Sequence, residues 1–374
     1  MKKVVIFVII ATMLLRGLAS FCYAEEVPSV SARSAVLMDA DTGQVLSSHN
    51  AYERMGMAST TKIMTALTVL SMCAPTDTVT VAKEAVGTEG SSVYLCEGEK
   101  MTVEHLLYAL LLSSANDAAV ALAIHCAGSV EQFADRMNDL ASQMQLEDTH
   151  FTNPHGLYDE NHYTTAYELA LITREAMKND LLSKIFATYK ATVPFCGEAD
   201  KRLLVNHNKM LRSYDGAIGV KTGFTKKTGR CLVSAAKREG LTLICVTLGA
   251  PDDWRDHTAL LDYGYENFCR RTFADVGEYS CTIPVTGGVS EYVTLTNTEP
   301  LTLTLPKVDV CERYLVEATS QFLYAPLENG EIRATVTVTC ADKTVSSPLA
   351  VKEAVTATPE KGFFKKIWDI FKKD

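Results

Sequence analysis

The chain has 374 residues, 47% of them hydrophobic and 22% charged, with a formal net charge of −9. That balance is ordinary for globular domains, and the length suggests two or three of them. An acidic surface disfavours nucleic acid as a general partner, and the lack of any fixed-period repeat argues against a solenoid or propeller.

Residues 1–24 begin Met-Lys-Lys, run through the apolar VVIFVIIATMLL and end on SFCYA before Glu25 and Glu26. A basic start, a short apolar core and small residues at Cys22 and Ala24 read as a secretory leader cut after Ala24, not a retained anchor. The working protein is therefore expected outside the cytoplasm. Of 11 cysteines, Cys22 leaves with the leader. The others are scattered without a CxxC, several inside apolar runs, as Cys126 in AIHCAG and Cys245 in LICVTL. They read as small buried thiols rather than as a disulfide framework.

SAVLMDADTGQVLSSHN reads as a hairpin around an Asp-Thr-Gly turn. A helix should start near Ser59. MTVEHLLYALLLSSANDAAVALAIHCAGS reads as two helices broken at SSAN, and SVEQFADRMNDLASQMQL as another. FTNPHGLYDENHY is a loop, and TTAYELALITREAMKND a helix capped by Thr164 or Thr165. AIGVKTG, GRCLVSAAKREG and LTLICVTLGAP then read as strands, the last two a hairpin through REGL. DWRDHTALLDYGYENFCRR is a further helix. The early hairpin and late strands would share one sheet covered by the intervening helices, an α+β arrangement. From about residue 273 the pattern alternates at period two, as in VTLTNTEPLTLTLP and GEIRATVTVTCADKTVSSPLAV, which predicts a small all-β domain. This divides the chain into a leader (1–24), a catalytic domain (25–272), a β domain (273–355) and a linker with terminal helix (356–374).

That terminal segment is KGFFKKIWDIFKKD. At helical spacing its aromatic and aliphatic residues, among them Phe363, Phe364, Trp368 and Phe371, fall within an arc of about 160°. Lys361, Lys365, Lys366, Lys372 and Lys373 fill the other side. A basic amphipathic helix with an aromatic face suits an anionic membrane surface, and residues 361–374 are read as a peripheral anchor.

The chemistry-bearing stretch is MASTTKIM, residues 57–64. A lone Ser-x-x-Lys is weak evidence, since about one match arises by chance in a chain this long. Ser59 alone reads as a helix cap and Lys62 as a snorkelling side chain. Residues three apart on a helix share a face, so Lys62 meets Ser59 and not Thr60 or Thr61. A serine hydroxyl needs a base, and a lysine serves if burial or a second cation lowers its pKa. GVKTGFT offers that second cation, Lys221, with Thr222 suited to a carboxylate and Gly223 allowing close backbone approach. SSAND places Ser114 and Asn116 at a helix break, although Asn116 alone would read as a cap. Ser-x-x-Lys, Ser-x-Asn and Lys-Thr-Gly in this order are the motif set of β-lactamases and penicillin-binding proteins.

On AVLMDADTGQVL, MASTTKIMTAL, GEKMTVEHLLYALLLSSANDAAVALA, FTNPHGL, HYTTAYELA and GVKTGFT, the sequence resembles the serine D-alanyl-D-alanine carboxypeptidases, the low-molecular-mass penicillin-binding proteins, over about residues 30–270. The resemblance implies a β-lactamase/DD-peptidase-like antiparallel sheet flanked by helices, then a small β domain and an amphipathic anchor. It implies that Ser59 attacks the carbonyl of the penultimate D-alanine to form an acyl-enzyme. Lys62 would be the base, Ser114 a proton relay and Asn116 a positioning group. Lys221 and Thr222 would bind the terminal carboxylate, with the backbone N–H groups of Ser59 and Phe224 as oxyanion hole. Peptidoglycan stem peptides ending in D-Ala-D-Ala and β-lactams are the expected partners, at the outer face of the cytoplasmic membrane, with no cofactor or metal. Two positions depart from the family pattern: Ala115 where glycine is frequent and Met57 where proline is common. Arg255 is a candidate for the family's carboxylate-side arginine and stays outside the catalytic set.

His150, His155 and His162 match no zinc spacing, and NPHGL reads as a turn supporting the cleft floor. The runner-up enzymes on the same site are a DD-endopeptidase and a β-lactamase; a class A β-lactamase needs a further deacylating glutamate, and no Glu-x-x-x-Asn lies in the right region. An idle wall-binding protein is the competitor from another class. It is disfavoured by the intact set Ser59, Lys62, Ser114, Asn116 and Lys221.

Overall fold

The structure, a computed structural model, describes residues 27–195, 200–307, 315–340 and 343–359. The leader and the 361–374 segment lie outside them. The chain divides into two units between Asn267 and Phe268.

The first unit opens with β1 (Ser34–Asp39) and β2 (Val45–His49), followed by α1 (Lys62–Met72). The short strands β3 (Thr78–Thr80) and β4 (Lys100–Thr102) pair with each other, and α2 (Val103–Leu112), α3 (Asn116–Ala127) and α4 (Val130–Gln143) follow. Next come α5 (Ala166–Met177), α6 (Asp180–Ala187), the hairpin β5 (Lys190–Phe195) and β6 (Asp200–Val205), and α7 (Met210–Ser213). The unit closes with β7 (Ala217–Thr225), β8 (Gly229–Arg238), β9 (Leu241–Leu248) and α8 (Asp253–Asn267).

The main sheet has the order β2-β1-β9-β8-β7, antiparallel throughout. Early and late strands therefore share one sheet, as the sequence predicts. Every residue of β1 and β9 is buried, which requires cover on both faces. α5 and α8 supply it by packing on β9. The β8–β9 connection has two residues, Glu239 and Gly240, both at positive φ, the turn that matches strand twist. Thr165 caps α5 by accepting from the Glu168 N–H. α8 stops at Asn267, short of the expected Arg271, because the following residues pair as a strand.

The second unit contains β10 (Phe268–Ala274), β11 (Ser280–Thr286), β12 (Tyr292–Asn297), β13 (Leu301–Pro306), β14 (Leu315–Ala318), β15 (Leu323–Tyr324), β16 (Ile332–Cys340) and β17 (Lys343–Val351). It forms a six-stranded sheet, β14-β16-β17-β12-β11-β15, and the pair β10–β13. Alternation along β16 buries Ala334, Val336 and Val338 in one cluster with Leu295, Leu349 and Val351, and Cys340 with Leu303 and Leu305.

The cysteines differ in part from the sequence reading. Cys231 and Cys245 are buried free thiols, but Cys96 in the first unit and Cys340 in the second each take part in a disulfide of their own. Scattered spacing conceals pairs that only the fold brings together.

Candidate active site

The chain enters the nucleophile turn through Ala58, a buried alanine at φ 47°. Residues Ala58–Thr61 form a 3₁₀ turn, and α1 begins at Lys62. Ser59 thus sits just ahead of the α-helix, not on it. Residues three apart eclipse in a 3₁₀ turn, which aligns Ser59 with Lys62 even more directly. The three hydroxyls divide cleanly. Thr60 donates to the Met57 carbonyl at 2.6 Å and Thr61 to the Ala58 carbonyl at 2.7 Å, so both hold the turn. Ser59 caps no helix, and its Oγ lies 3.0 Å from Lys62 Nζ.

Lys62 is fully buried. Its Nζ also lies 2.7 Å from Asn116 Oδ1 and 2.7 Å from the His155 carbonyl oxygen. Burial first, and the charge of Lys221 second, hold its pKa well below the usual lysine value, while Asp117 opposes them. A neutral amine has two N–H donors and one lone pair. With both donors directed to Asn116 and His155, the lone pair is left for the Ser59 hydroxyl proton. Asn116 is fixed in turn, since its Nδ2 donates to the Glu89 carbonyl at 2.5 Å. It opens α3 but does not cap it; Ala115 occupies the cap position. Ser114 lies just before, at φ 58°, so the second motif also turns through a strained residue.

The NPHGL turn packs behind the nucleophile turn and supports it rather than lining the cleft. The Pro154 carbonyl accepts from Thr65, and Gly156 lies so close to Ala58 that a Cβ there would meet the Ala58 oxygen at 1.9 Å. The three histidines are engaged by protein groups. His162 Nδ1 accepts from the Thr152 N–H, leaving Nε2 to donate to Thr61 Oγ1 at 2.8 Å. Burial lowers His162 to about 4 and, with Lys62, lowers His155 to about 3.

The edge strand β7 forms the opposite wall. A Cβ on Gly223 would meet Ser59 N at 3.0 Å and the Met57 oxygen at 3.1 Å, so this backbone runs directly beside the nucleophile. Thr222, Gly223 and exposed Phe224 line a cleft of about 420 Å³ together with Ser59 and Ser114. Lys221 is buried behind that wall, with Nζ donating to the Thr222 carbonyl at 2.9 Å, and burial lowers its pKa to about 7. All three motifs thus converge on one cleft.

The remaining lining residues escaped the sequence reading: Ser91, His207, Lys209, Arg230, Asp253 and Trp254. Arg230 Nε donates to Asp253 Oδ1 at 2.9 Å, and Asp253 is buried. Arg230 and Lys209 both lie near the Trp254 ring, at 6.0 and 5.8 Å. A register signal was available, because Arg230 is the cross-strand partner of Phe224 in the β7–β8 hairpin. Arg255, the sequence candidate for a cleft arginine, is 68% exposed and pairs with Asp252 at 3.3 Å, away from the lining set. The structure puts Arg230 in the cleft instead.

Fold and cluster define an active-site-serine enzyme of the β-lactamase and penicillin-binding class. Residues 22–252 match the family model for D-alanyl-D-alanine carboxypeptidases, the S11 peptidases. The chain belongs to that family. It is 32% identical to D-alanyl-D-alanine carboxypeptidase DacF of Bacillus subtilis, over 86% of this chain and 85% of that one. It is 33% identical to DacC of Escherichia coli, over 95% of each. Among solved structures, penicillin binding protein 5 from Haemophilus influenzae superposes with a TM-score of 0.76 at 30% identity, covering 88% of this chain and 98% of that one.

Proposed function

We propose that this serine D-alanyl-D-alanine carboxypeptidase works through an acyl-enzyme on Ser59, trimming the terminal D-alanine from peptidoglycan stem peptides. Neutral Lys62 takes the Ser59 proton as Oγ bonds to the carbonyl carbon of the penultimate D-alanine. The oxyanion is held by the backbone N–H groups of Ser59 and Phe224, where one lost donor typically costs about 3 kcal/mol. Ser114 relays the proton to the departing amine of D-alanine. Lys62 then takes a proton from the water that hydrolyses the ester. Thr222, the charge of Lys221 and the guanidinium of Arg230 receive the terminal carboxylate. A β-lactam carries a carboxylate and an acylating carbonyl in the same relation, so it acylates Ser59 as a mimic.

The observation that carries this reading is the 3.0 Å approach of Ser59 Oγ to a buried Lys62 whose other two directions are taken by acceptors. The test is mass spectrometry after labelled penicillin, beside D-alanine release from a peptide ending in D-Ala-D-Ala. Ser59→Ala should abolish both. Release of D-alanine by that variant would sink the mechanism.

Export and membrane attachment complete the proposal, supported by the leader pattern of 1–24 and the basic amphipathic pattern of 361–374. Deleting 361–374 should release the protein from vesicles containing anionic lipid, and unchanged pelleting would refute the anchor.

A further inference from the structure

We propose that Cys73 and Cys126 form a disulfide in the exported protein, joining the far ends of α1 and α3. Their Sγ atoms lie 2.8 Å apart, well inside ordinary non-bonded contact, although both are free thiols here. The position of the pair in the fold gives the bond a task. α1 begins with Lys62 and α3 with Asn116, and a 2.7 Å hydrogen bond ties those two starts together at the cleft. Cys73 directly follows the last residue of α1, and Cys126 is the last but one of α3. The two helices are thus fastened at both ends, by a hydrogen bond where the chemistry occurs and by sulfur where it does not.

The inference rests on the proposed export, and the disulfide-bonded state of Cys96 and Cys340 supports an oxidising destination. The oxidant is a disulfide of the exchange class, protein-borne or small. One cysteine thiolate attacks a sulfur of that disulfide and releases one thiol. The second cysteine then displaces the other thiol, so two electrons and two protons leave the pair and reduce the oxidant to its dithiol form.

A metal site is the alternative use of this corner. Among the described residues, Cys73, Asp77 and His125 bring ligand atoms within 4.8 Å of one another. Two thiolates on one tetrahedral zinc stand roughly 3.7 Å apart, given Zn–S bonds of about 2.3 Å. The sulfurs here are closer than that, and Asp77 Oδ2 already accepts from the Ala74 N–H at 2.7 Å.

The test is peptide mapping of the full chain after export, alkylated with iodoacetamide in denaturing buffer with EDTA and no reductant. Cys73 and Cys126 should stay unlabelled and appear as one cross-linked pair, reacting only after reduction. Cys73→Ser should expose Cys126 to the reagent without reductant. A bond closing a loop of about 50 residues should be worth about 10 °C of melting temperature. Cys73→Ser, Cys126→Ser and the double variant should all lose that same amount, with penicillin acylation at 25 °C preserved. Labelling of Cys73 and Cys126 while Cys96 and Cys340 stay bonded would overturn the proposal, as would protection that EDTA alone removes from the native protein. If all four are reduced, export is what fails. The purified chain is then treated with glutathione disulfide, and absence of the Cys73–Cys126 cross-link overturns the staple itself.

Discussion

Removing the Asn116 side chain should slow acylation of Ser59 by roughly 10- to 100-fold. In the free enzyme Asn116 Oδ1 takes one N–H of Lys62 at 2.7 Å and Nδ2 donates to the Glu89 carbonyl at 2.5 Å, both at a site only 4% exposed. Asn116→Ala leaves a buried amine N–H and a carbonyl without these partners. An orphaned buried polar group costs about 1–3 kcal/mol, and about 1.4 kcal/mol is a tenfold change in rate. The amine also gains a rotation that turns its lone pair away from Ser59. Stopped-flow acylation by a reporter β-lactam measures the rate, and a melting curve checks that the fold survives.

Asn116→Asp separates this role from simple substrate contact. A carboxylate at 2.7 Å would favour the charged lysine, so its pKa would rise and the acidic limb of the acylation profile would move to higher pH. The variant should recover activity as pH rises, whereas Asn116→Ala should not. An Asn116→Ala enzyme acylating at the native rate, or an Asn116→Asp profile with an unshifted limb, would refute the lone-pair argument.

Other perturbations probe the surrounding shell. Burial lowers the Lys221 pKa to about 7, so kcat/KM for a peptide with a free terminal carboxylate should fall as pH rises through 7, and an amidated peptide should lack that limb. Between pH 7 and the ordinary lysine value of 10.5 the unfolded chain binds the proton that the folded chain has lost, so this group makes stability rise with pH; urea titrations of Lys221→Met should show a flatter rise. Gly156→Ala places a Cβ 1.9 Å from the Ala58 oxygen at φ 86°, and should cost more than about 3 kcal/mol by urea denaturation. Arg230→Ala should raise KM for a carboxylate-terminated peptide roughly tenfold with kcat little changed, whereas Arg255→Ala should behave as wild type in the same assay.

Motif chemistry was readable because it depends on local spacing. Ser59 and Lys62 are three apart, and any helical turn brings them together. The strands of the main sheet were readable because β1 and β9 are predominantly apolar runs with turn residues beyond their ends. The rest depends on distant chain segments. β3 and β4 are three residues each, too short to carry a period, and exist because they pair with each other. The His155 carbonyl that holds Lys62 has no side-chain signature at all. Arg230 enters the cleft through strand register, and Asp253 holds it from another element. Arg255 lies outside the lining set for the matching reason, since one step along α8 from Trp254 turns a side chain by about 100°. The pairing of Cys73 with Cys126 is likewise a product of how α1 packs on α3.

Within a chain whose net charge is −9, the cleft gathers Lys209 and Arg230 with Asp253 as their acidic neighbour, and the fold adds further positive charge by position. α1 and α3 both begin at the site, so the positive ends of two helix dipoles point into it. Lys221 adds a cation from β7. One field then favours three separate things: an anionic carboxylate in the substrate, an oxyanion in the transition state, and a neutral rather than charged Lys62. The opposing charge of Asp117 is restrained by donors from Ser92, Val93, Leu95 and Ala118, which spread it away from the lysine. A base that stayed cationic would add to this field and lose its function. Burial of Lys62 is therefore the condition that lets the same surroundings bind an acid and deprotonate an alcohol. A negative side chain introduced at Asn116 opposes all three effects at once. That variant should accordingly lose carboxylate affinity as well as rate, a coupling that a purely steric role for Asn116 would not produce.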